Sequence, residues 1–284
     1  MFERDLLKGK RILVTGGGTG LGASMGRRFL ELGAEIFICG RRSDVLEATA
    51  KHLSTETGGR VNVHRCDIRD AAAVEAMLDA IWATGPLDVL VNNAAGNFIA
   101  ETHRLSPRAI DAVLNTVLHG AAYCTVGAGR RWIDGGHRGV VLSILTLSAL
   151  KGAAFRVPSA MAKAGLQAMT QSLAVEWGGR GIRTVAIAPG WFPTQGASQR
   201  LRPAGMKRDL VDEIPLARPG NHAELANLAS YLVSDQAGYI NGATIVIDGG
   251  RQFLSDGGSG TTELLKWTPE QWAEMRRQAR GEAG

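Results

Sequence analysis

The sequence predicts an α/β chain: a doubly wound, mostly parallel sheet of seven strands with helices on both faces. Three observations predict it. Short apolar runs alternate with helical patterns along nearly the whole chain. The first run closes on a glycine cluster, Thr15-Gly-Gly-Gly-Thr-Gly-Leu-Gly22, directly before a helical pattern. The strand ends at 16–22, 40–42, Asp67, 92–96, 144–146 and 189–194 all carry turn-forming or hydrogen-bonding residues. In such a sheet, ligands bind beyond the C-terminal ends of the strands, where the strand order reverses.

Residues 12–14 (Ile-Leu-Val) form the first strand, and Met25, Phe29, Leu30 and Leu32 mark the helix after the glycines. A second strand covers 35–39, and a helix covers 43–53, starting at Ser43 or Asp44. The third strand is 61–65, followed by a helix over 71–82. The Gly85-Pro86 break precedes the fourth strand, 89–92, and one long helical stretch covers 106–133. The fifth strand is 139–144, the next helix 159–177 and the sixth strand 184–188. A helix over 222–232 and a seventh strand over 244–247 complete the alternation. A Gly/Ser-rich loop at 255–262 leads to Thr268-Pro269-Glu270-Gln271, a cap, a first-turn proline and a box-like glutamine opening a final helix. No linker or repeat divides the chain. Residues 1–284 therefore read as one Rossmann-type domain, with a tail over 251–284.

The 284 residues are 45% hydrophobic, enough for one large core. No apolar run approaches the roughly 20 residues that a membrane-spanning helix needs. The opening MFERDLLKGK has no apolar stretch, so a cytoplasmic protein is expected. The net charge of +5 comes without an aromatic-interleaved basic stripe. That pattern argues against nucleic acid and suits a polyanionic small molecule. Cys39, Cys66 and Cys124 lie in apolar stretches and read as buried, reduced thiols, with no metal site.

The glycines have separate tasks. Gly16 permits a tight turn, Gly20 lets a pyrophosphate approach the backbone, and Gly22 lets the helix pack close to the strand. With Gly18, Thr19 and Leu21 they bring a helix N-terminus to the phosphates. An NAD site places a carboxylate after the second strand; here the strand ends Cys39-Gly40-Arg41-Arg42. Two guanidiniums favour NADPH, the alternative being ordinary surface charges. Asp67 either accepts from the adenine amino group or caps the helix start at 69–73.

Thr15-Gly-x-x-x-Gly20-x-Gly22, Asn92-Asn93-Ala94-Ala95-Gly96, Lys163 and Pro189-Gly190 together resemble the short-chain dehydrogenase/reductase family over residues 9–250. The resemblance implies that NADP is held also by Ile68, Asn93, Ala94, Ala95, Gly96, Lys163, Pro189, Gly190, Trp191, Phe192 and Thr194. Most members use Asn, Ser, Tyr and Lys. Here the position four before Lys163 is Ser159, the position 17 before it is Thr146, and the helix Asn position is Val117. A serine hydroxyl does not replace a tuned phenol as an acid, so alcohol or ketone chemistry is not expected.

These departures, with the stretches Gly96-Asn97-Phe98-Ile99, Val157-Pro158-Ser159-Ala160 and Ala174-Val175-Glu176-Trp177-Gly178, resemble the 2,4-dienoyl-CoA reductases of mitochondrial type. That branch holds a thioester oxygen with an Asn, matched by Asn97, and a Tyr 15 residues before the Lys, where this chain has Ser148. The resemblance implies hydride transfer from NADPH to the far end of a conjugated acyl-CoA, in β-oxidation of unsaturated fatty acids. Asn97 would steady the oxyanion, with Ser148 second; Lys163 would hold the ribose, and Ser159 would bond either; Thr146 completes the set. Structural alternatives stand beside these roles: Asn97 as a turn residue, Ser148 as a loop residue, Thr146 as a strand residue. Phe98, Ser106 and Arg200 match acyl-CoA positions, with Arg69 a further cation. The resemblance also implies a substrate flap over 191–213, whose Arg200, Arg202, Lys207 and Arg208 either bind CoA phosphates or form a solvated face. Relatives suggest a homotetramer through the helices at 106–133 and 159–177. Two other functions remain open, a trans-2-enoyl-CoA reductase and a nucleotide-binding scaffold without turnover. A ketone reductase is opposed by Ser159.

Overall fold

The computed structural model describes residues 5–194, 210–254 and 261–280. The seven strands are β1 (Arg11–Thr15), β2 (Glu35–Gly40), β3 (Val61–Arg65), β4 (Val89–Asn92), β5 (Gly139–Ile144), β6 (Ile182–Pro189) and β7 (Thr244–Ile247). They form one sheet in the order β3-β2-β1-β4-β5-β6-β7, and all six pairings are parallel. The strand order therefore reverses between β1 and β4, which places a crevice beyond their C-terminal ends.

Alternation along each strand sends side chains to two cores. Ile12, Val14, Ile36, Ile38, Val89 and Val91 join the core under α1 (Gly20–Glu31), α2 (Ser43–Thr57) and the later helix His222–Val233. Their neighbours Leu13, Phe37, Cys39 and Leu90 face α3 (Ala71–Trp82) with Leu78, Cys124 and Trp132. Trp132 is fully buried, and its indole N–H donates to Leu87 O at 2.5 Å. Cys39, Cys66 and Cys124 are free and buried, as their apolar surroundings predict.

The single helix expected over 106–133 is three pieces. These are α4 (Pro107–Leu114), a wide π-type turn over Asn115–His119, and α5 (Gly120–Asp134). Periodicity counting cannot register one added residue per turn. The wide turn buries Val117 and brings Gly120 against Ile68, where a Cβ would lie 2.6 Å from Ile68 Cγ1. α2 runs four residues beyond its expected end and stops at Gly58, whose φ of +70° forms a left-handed cap. The remaining helices are α6 (Ser148–Lys151), α7 (Val157–Gly178), α8 (His222–Val233), α9 (Thr261–Leu264) and α10 (Pro269–Ala279). α10 opens with the expected box: Thr268 N donates to Gln271 Oε1 at 2.8 Å, and Gln271 N donates to Thr268 Oγ1. No described helix is long and apolar enough to cross a membrane.

Candidate active site

The C-terminal ends of β1 and β4 are stitched together. Thr15 Oγ1 donates to Val91 O at 3.2 Å and accepts from Asn93 N and Ala94 N, both at 3.0 Å. Asn93 Nδ2 donates to Thr15 O at 2.9 Å, so this amide serves the scaffold. Gly16 takes φ +65°, and Gly20 takes +55°. A Cβ on Gly22 would lie 2.6 Å from Asn93 Nδ2 and 2.7 Å from Gly16 O. The turn therefore admits only glycine at its closest approach. Gly18 is fixed by Thr49, whose Oγ1 donates to Gly18 O at 2.8 Å.

The start of α1 fits an anion. Thr19 before it is exposed and gives no side-chain cap, and the first turn holds no carboxylate. Its first N–H groups thus point outward with the positive end of the helix dipole. Leu21 packs against the core behind it. Ala95 and Gly96 beyond β4 are exposed, and a Cβ on Gly96 would meet nothing within 4 Å. An elongated ligand has room across the mouth of the crevice there. This geometry suits the diphosphate and nicotinamide halves of a dinucleotide.

Arg41 and Arg42 are exposed beyond β2, and Arg42 immediately precedes α2. Asp67, beyond β3, accepts from Arg69 Nε at 2.9 Å and from Arg69 N at 3.1 Å. The Arg69 guanidinium holds its carboxyl below the usual range, and Arg41 adds to this. The capping alternative for Asp67 is not what occurs. Asp70 caps α3 instead, accepting from Ala72 N at 2.9 Å and Ala73 N at 3.2 Å. Ile68, beside Asp67, is buried against Gly120.

The other side of the crevice is built from β5, α6 and α7. Lys163 is buried, and its ammonium donates to Ile144 O at the end of β5. Desolvation pushes its pKa down to about 8. Ser159, one helical turn earlier, is buried on the same face. Thr146 Oγ1 and Ser148 Oγ share a hydrogen bond at the start of α6. Asn97 Oδ1 accepts from Phe98 N at 2.9 Å, so the amide does hold the turn, while Nδ2 bonds no described residue. Phe98 packs against the buried cluster that includes Val113, Val117 and Leu166. Ser106 caps α4 by accepting from Ala109 N at 3.2 Å, which engages its hydroxyl in structure.

Pro189 ends β6. Gly190 then passes so close to Asp248 that a Cβ would lie 2.7 Å from Asp248 Cβ. Trp191 O accepts from Gly220 N at 3.0 Å, and Phe192 is buried. Thr194 lies over the glycine turn: a Cβ on Gly20 would be 3.3 Å from Thr194 Cγ2. The two sides of the crevice thus meet here. Arg200, Arg202, Lys207 and Arg208 lie outside the described residues. Two residues that no motif or spacing singles out, Ser24 and His222, join this junction: Ser24 Oγ lies 2.8 Å from His222 Nδ1. His222 follows a strong helix cap, Asn221.

The sequence matches the family model described as enoyl-(acyl carrier protein) reductase over residues 16–252. A probable 2,4-dienoyl-CoA reductase 3, (3E)-enoyl-CoA-producing, of Caenorhabditis elegans is 41% identical, over 98% of this chain and 92% of that protein. A probable 2,4-dienoyl-CoA reductase, (2E)-enoyl-CoA-producing, of Bacillus subtilis is 42% identical, over 85% of this chain and 96% of that protein. Among solved structures, a short-chain dehydrogenase from Bacillus anthracis superimposes with a TM-score of 0.77 at 37% identity, covering 87% of this chain and 98% of that one. Sheet order, glycine turn, buried lysine and these likenesses agree: the chain belongs to the short-chain dehydrogenase/reductase family, oxidoreductases that work with a nicotinamide cofactor.

Proposed function

We propose that this protein uses NADPH to reduce a conjugated 2,4-dienoyl-CoA thioester between carbon atoms, as a step in β-oxidation of unsaturated fatty acids. One observation carries the reading. Lys163 stays buried, while the position one turn before it holds Ser159 in place of an ionisable acid. A serine hydroxyl is too weak an acid to protonate an alkoxide at neutral pH. A reaction that leaves its charge on a conjugated thioester oxygen needs hydrogen-bond donors there. Asn97 supplies one through Nδ2, its Oδ1 being fixed by Phe98 N. Ser148 supplies a second, with Thr146 accepting or donating behind it.

The bound nicotinamide supplies the hydride. Lys163 holds the ribose and adds positive potential, and Ser159 orients it from the preceding turn. Thr194, beyond Pro189-Gly190-Trp191-Phe192, bonds the carboxamide. Gly16, Gly18, Gly20, Gly22 and the α1 N-terminus carry the diphosphate; Ala94, Ala95 and Gly96 line the ribose. Asp67 and Ile68 flank the adenine. Arg41 and Arg42 take the 2′-phosphate, since no carboxylate follows β2 at Gly40 to contact a ribose hydroxyl. Water delivers the proton to carbon. Phe98 contacts the acyl chain near Ser106, and Arg200 with the neighbouring flap cations takes CoA phosphates; Arg69 is second to these because Asp67 engages it. The names of the worm and Bacillus relatives support the substrate class. Exposed Tyr123 and Val126 on α5, and Met161 and Val175 on α7, support assembly of a homo-oligomer through those helices.

NADPH oxidation against dienoyl-, enoyl- and 3-ketoacyl-CoA thioesters tests the reading. Turnover of the dienoyl-CoA alone, or far above the others, is expected. Preferred turnover of the enoyl-CoA transfers the assignment to an enoyl-CoA reductase. NADPH binding with no oxidation on any thioester identifies a scaffold.

A further inference from the structure

We infer that His222 is a positioning residue for the nicotinamide half of the cofactor site, tying the segment after β6 to the glycine-rich turn; this rests on the nicotinamide reading of the crevice. His222 Nε2 lies 2.7 Å from Pro193 O, and Nδ1 lies 2.8 Å from Ser24 Oγ. Ser24 sits in the second turn of α1, and its Oγ donates to Gly20 O at 3.1 Å. One imidazole thus bridges Pro193 to the residue that holds the last turn of the phosphate loop.

The hydrogens can be counted. Pro193 O is a carbonyl, so Nε2 must donate to it. On a neutral ring Nδ1 then accepts the Ser24 hydroxyl hydrogen, which is no longer available to Gly20 O, and the tie ends on α1 at Ser24. On a protonated ring Nδ1 donates to Ser24 Oγ, whose hydrogen goes to Gly20 O. Either arrangement joins Pro193 to Ser24 on α1.

The ring is held from a fixed base. Asn221 Oδ1 accepts from Ala223 N at 2.9 Å, and Asn221 N donates to Glu224 Oε2 at 2.8 Å. Arg218 Nη1 donates to the same Glu224 Oε2 at 2.9 Å. α1 and α8 are joined again one turn on, where Arg28 Nε donates to Asn227 Oδ1 at 2.8 Å. The segment after β6 is anchored on its other side, Gly190 N donating to Ile247 O at 2.9 Å and Gly220 N to Trp191 O at 3.0 Å. Those bonds set its start. The His222 bond sets the height of Pro193, and so of Thr194, above Gly20. A dinucleotide crossing from the α1 N-terminus to Lys163 passes under that point. Losing the bridge therefore loosens the grip on the diphosphate–nicotinamide half and leaves the adenine end, around Arg41 and Asp67, as it was.

Four variants test this: His222→Leu, which removes both bonds; His222→Asn, which keeps a group near Ser24 and falls short of Pro193; His222→Gln, which places an amide donor near the Nε2 position; and Ser24→Ala. NADPH and adenosine 2′-monophosphate, which has neither diphosphate nor nicotinamide, are titrated against each by tryptophan fluorescence. His222→Leu and His222→Asn are expected to weaken NADPH about tenfold, the scale of one lost hydrogen bond in a site. His222→Gln should recover most of that loss, and Ser24→Ala should weaken NADPH only a few-fold. Adenosine 2′-monophosphate should bind all of them as it binds the wild type. Equal NADPH affinity of the Asn and Gln variants overturns the inference even if the Leu variant does not fold. So does a parallel loss for adenosine 2′-monophosphate, which marks general damage. Wild-type protein that binds adenosine 2′-monophosphate but not NADPH overturns the nicotinamide reading itself, and this inference with it.

Discussion

On one side of the crevice, backbone atoms of Thr15, Gly16, Gly22 and Asn93 meet one another and the Thr15 and Asn93 side chains at closest approach. On the other side, Thr146 and Ser148 bond through their hydroxyls, Lys163 reaches Ile144 O, and among Thr146, Ser148, Ser159 and Lys163 only the lysine carries charge. The first side is fixed by sterics: added atoms have nowhere to go. The second is fixed by chemistry, and its hydroxyls and amide can be exchanged while the fold stays intact. The nucleotide-binding side can therefore be shared across a large family while the reaction changes on the other. If the two sides are independent, a change on one should leave the other as it was.

The largest effect is expected at Asn97. Asn97→Ala should lower kcat by about 10²–10³-fold, the range for one oxyanion donor, and leave NADPH affinity unchanged. Steady-state kinetics with a dienoyl-CoA measure both. Unchanged kcat would reduce Asn97 to a turn residue, and a parallel loss of NADPH affinity would couple the two sides.

Next is the buried ammonium. Burial holds Lys163 near a pKa of about 8, against 10.5 for an ordinary lysine. In the unfolded chain the proton stays on up to the ordinary value. Between about 8 and 10.5 the unfolded state thus binds more protons, and wild-type stability should rise with pH across that window. Below about 8 the buried charge exerts its full penalty. Lys163→Met should flatten the window and stabilise the protein at pH 7 by on the order of 2 kcal/mol. Urea unfolding from pH 7 to 10.5 reads this. A Met variant less stable than wild type at pH 7 contradicts it.

Gly22→Ala tests the steric side. Its methyl would press on Gly16 O and Asn93 Nδ2, so the midpoint of unfolding should fall by an amount equivalent to about 1–2 kcal/mol. NADPH affinity should fall with it. Calorimetry showing wild-type stability would mean the turn is softer than its contacts suggest.

The smallest effect is expected at Arg41. Arg41→Ala should raise the Kd for NADPH about tenfold and leave NADH nearly unchanged, as loss of one phosphate contact does. Titration with the two nucleotides reads the ratio, and equal weakening removes the 2′-phosphate role.

The steric side was legible in the sequence because glycine spacing records backbone geometry directly. Gly16, Gly20 and Gly22 stand where the turn, the phosphate approach and the helix packing need them. The seven strands were legible for a related reason. Strands buried on both faces leave near-continuous apolar runs such as Ile12-Leu13-Val14. The wide turn at Asn115–His119 was not legible, since no residue type demands it and it shifts the helical phase by one position. Asp67 and Asp70 lie three residues apart at one helix start, and only the geometry shows that Asp70 caps while Asp67 pairs with Arg69. The Thr146–Ser148 hydroxyl pair and the His222 bridge depend on side-chain orientation across elements, which spacing does not encode.

The central claim is that hydride goes to the far end of a conjugated chain while an amide steadies the oxygen. Deuterium transfer tests it most directly. NADPH carrying deuterium at the reactive nicotinamide carbon is turned over with a 2,4-dienoyl-CoA, and the label is located in the product by mass spectrometry and NMR. The expected result is deuterium on the carbon at the distal end of the diene, with the thioester carbonyl intact. Deuterium on the carbon that bears the oxygen would contradict the claim.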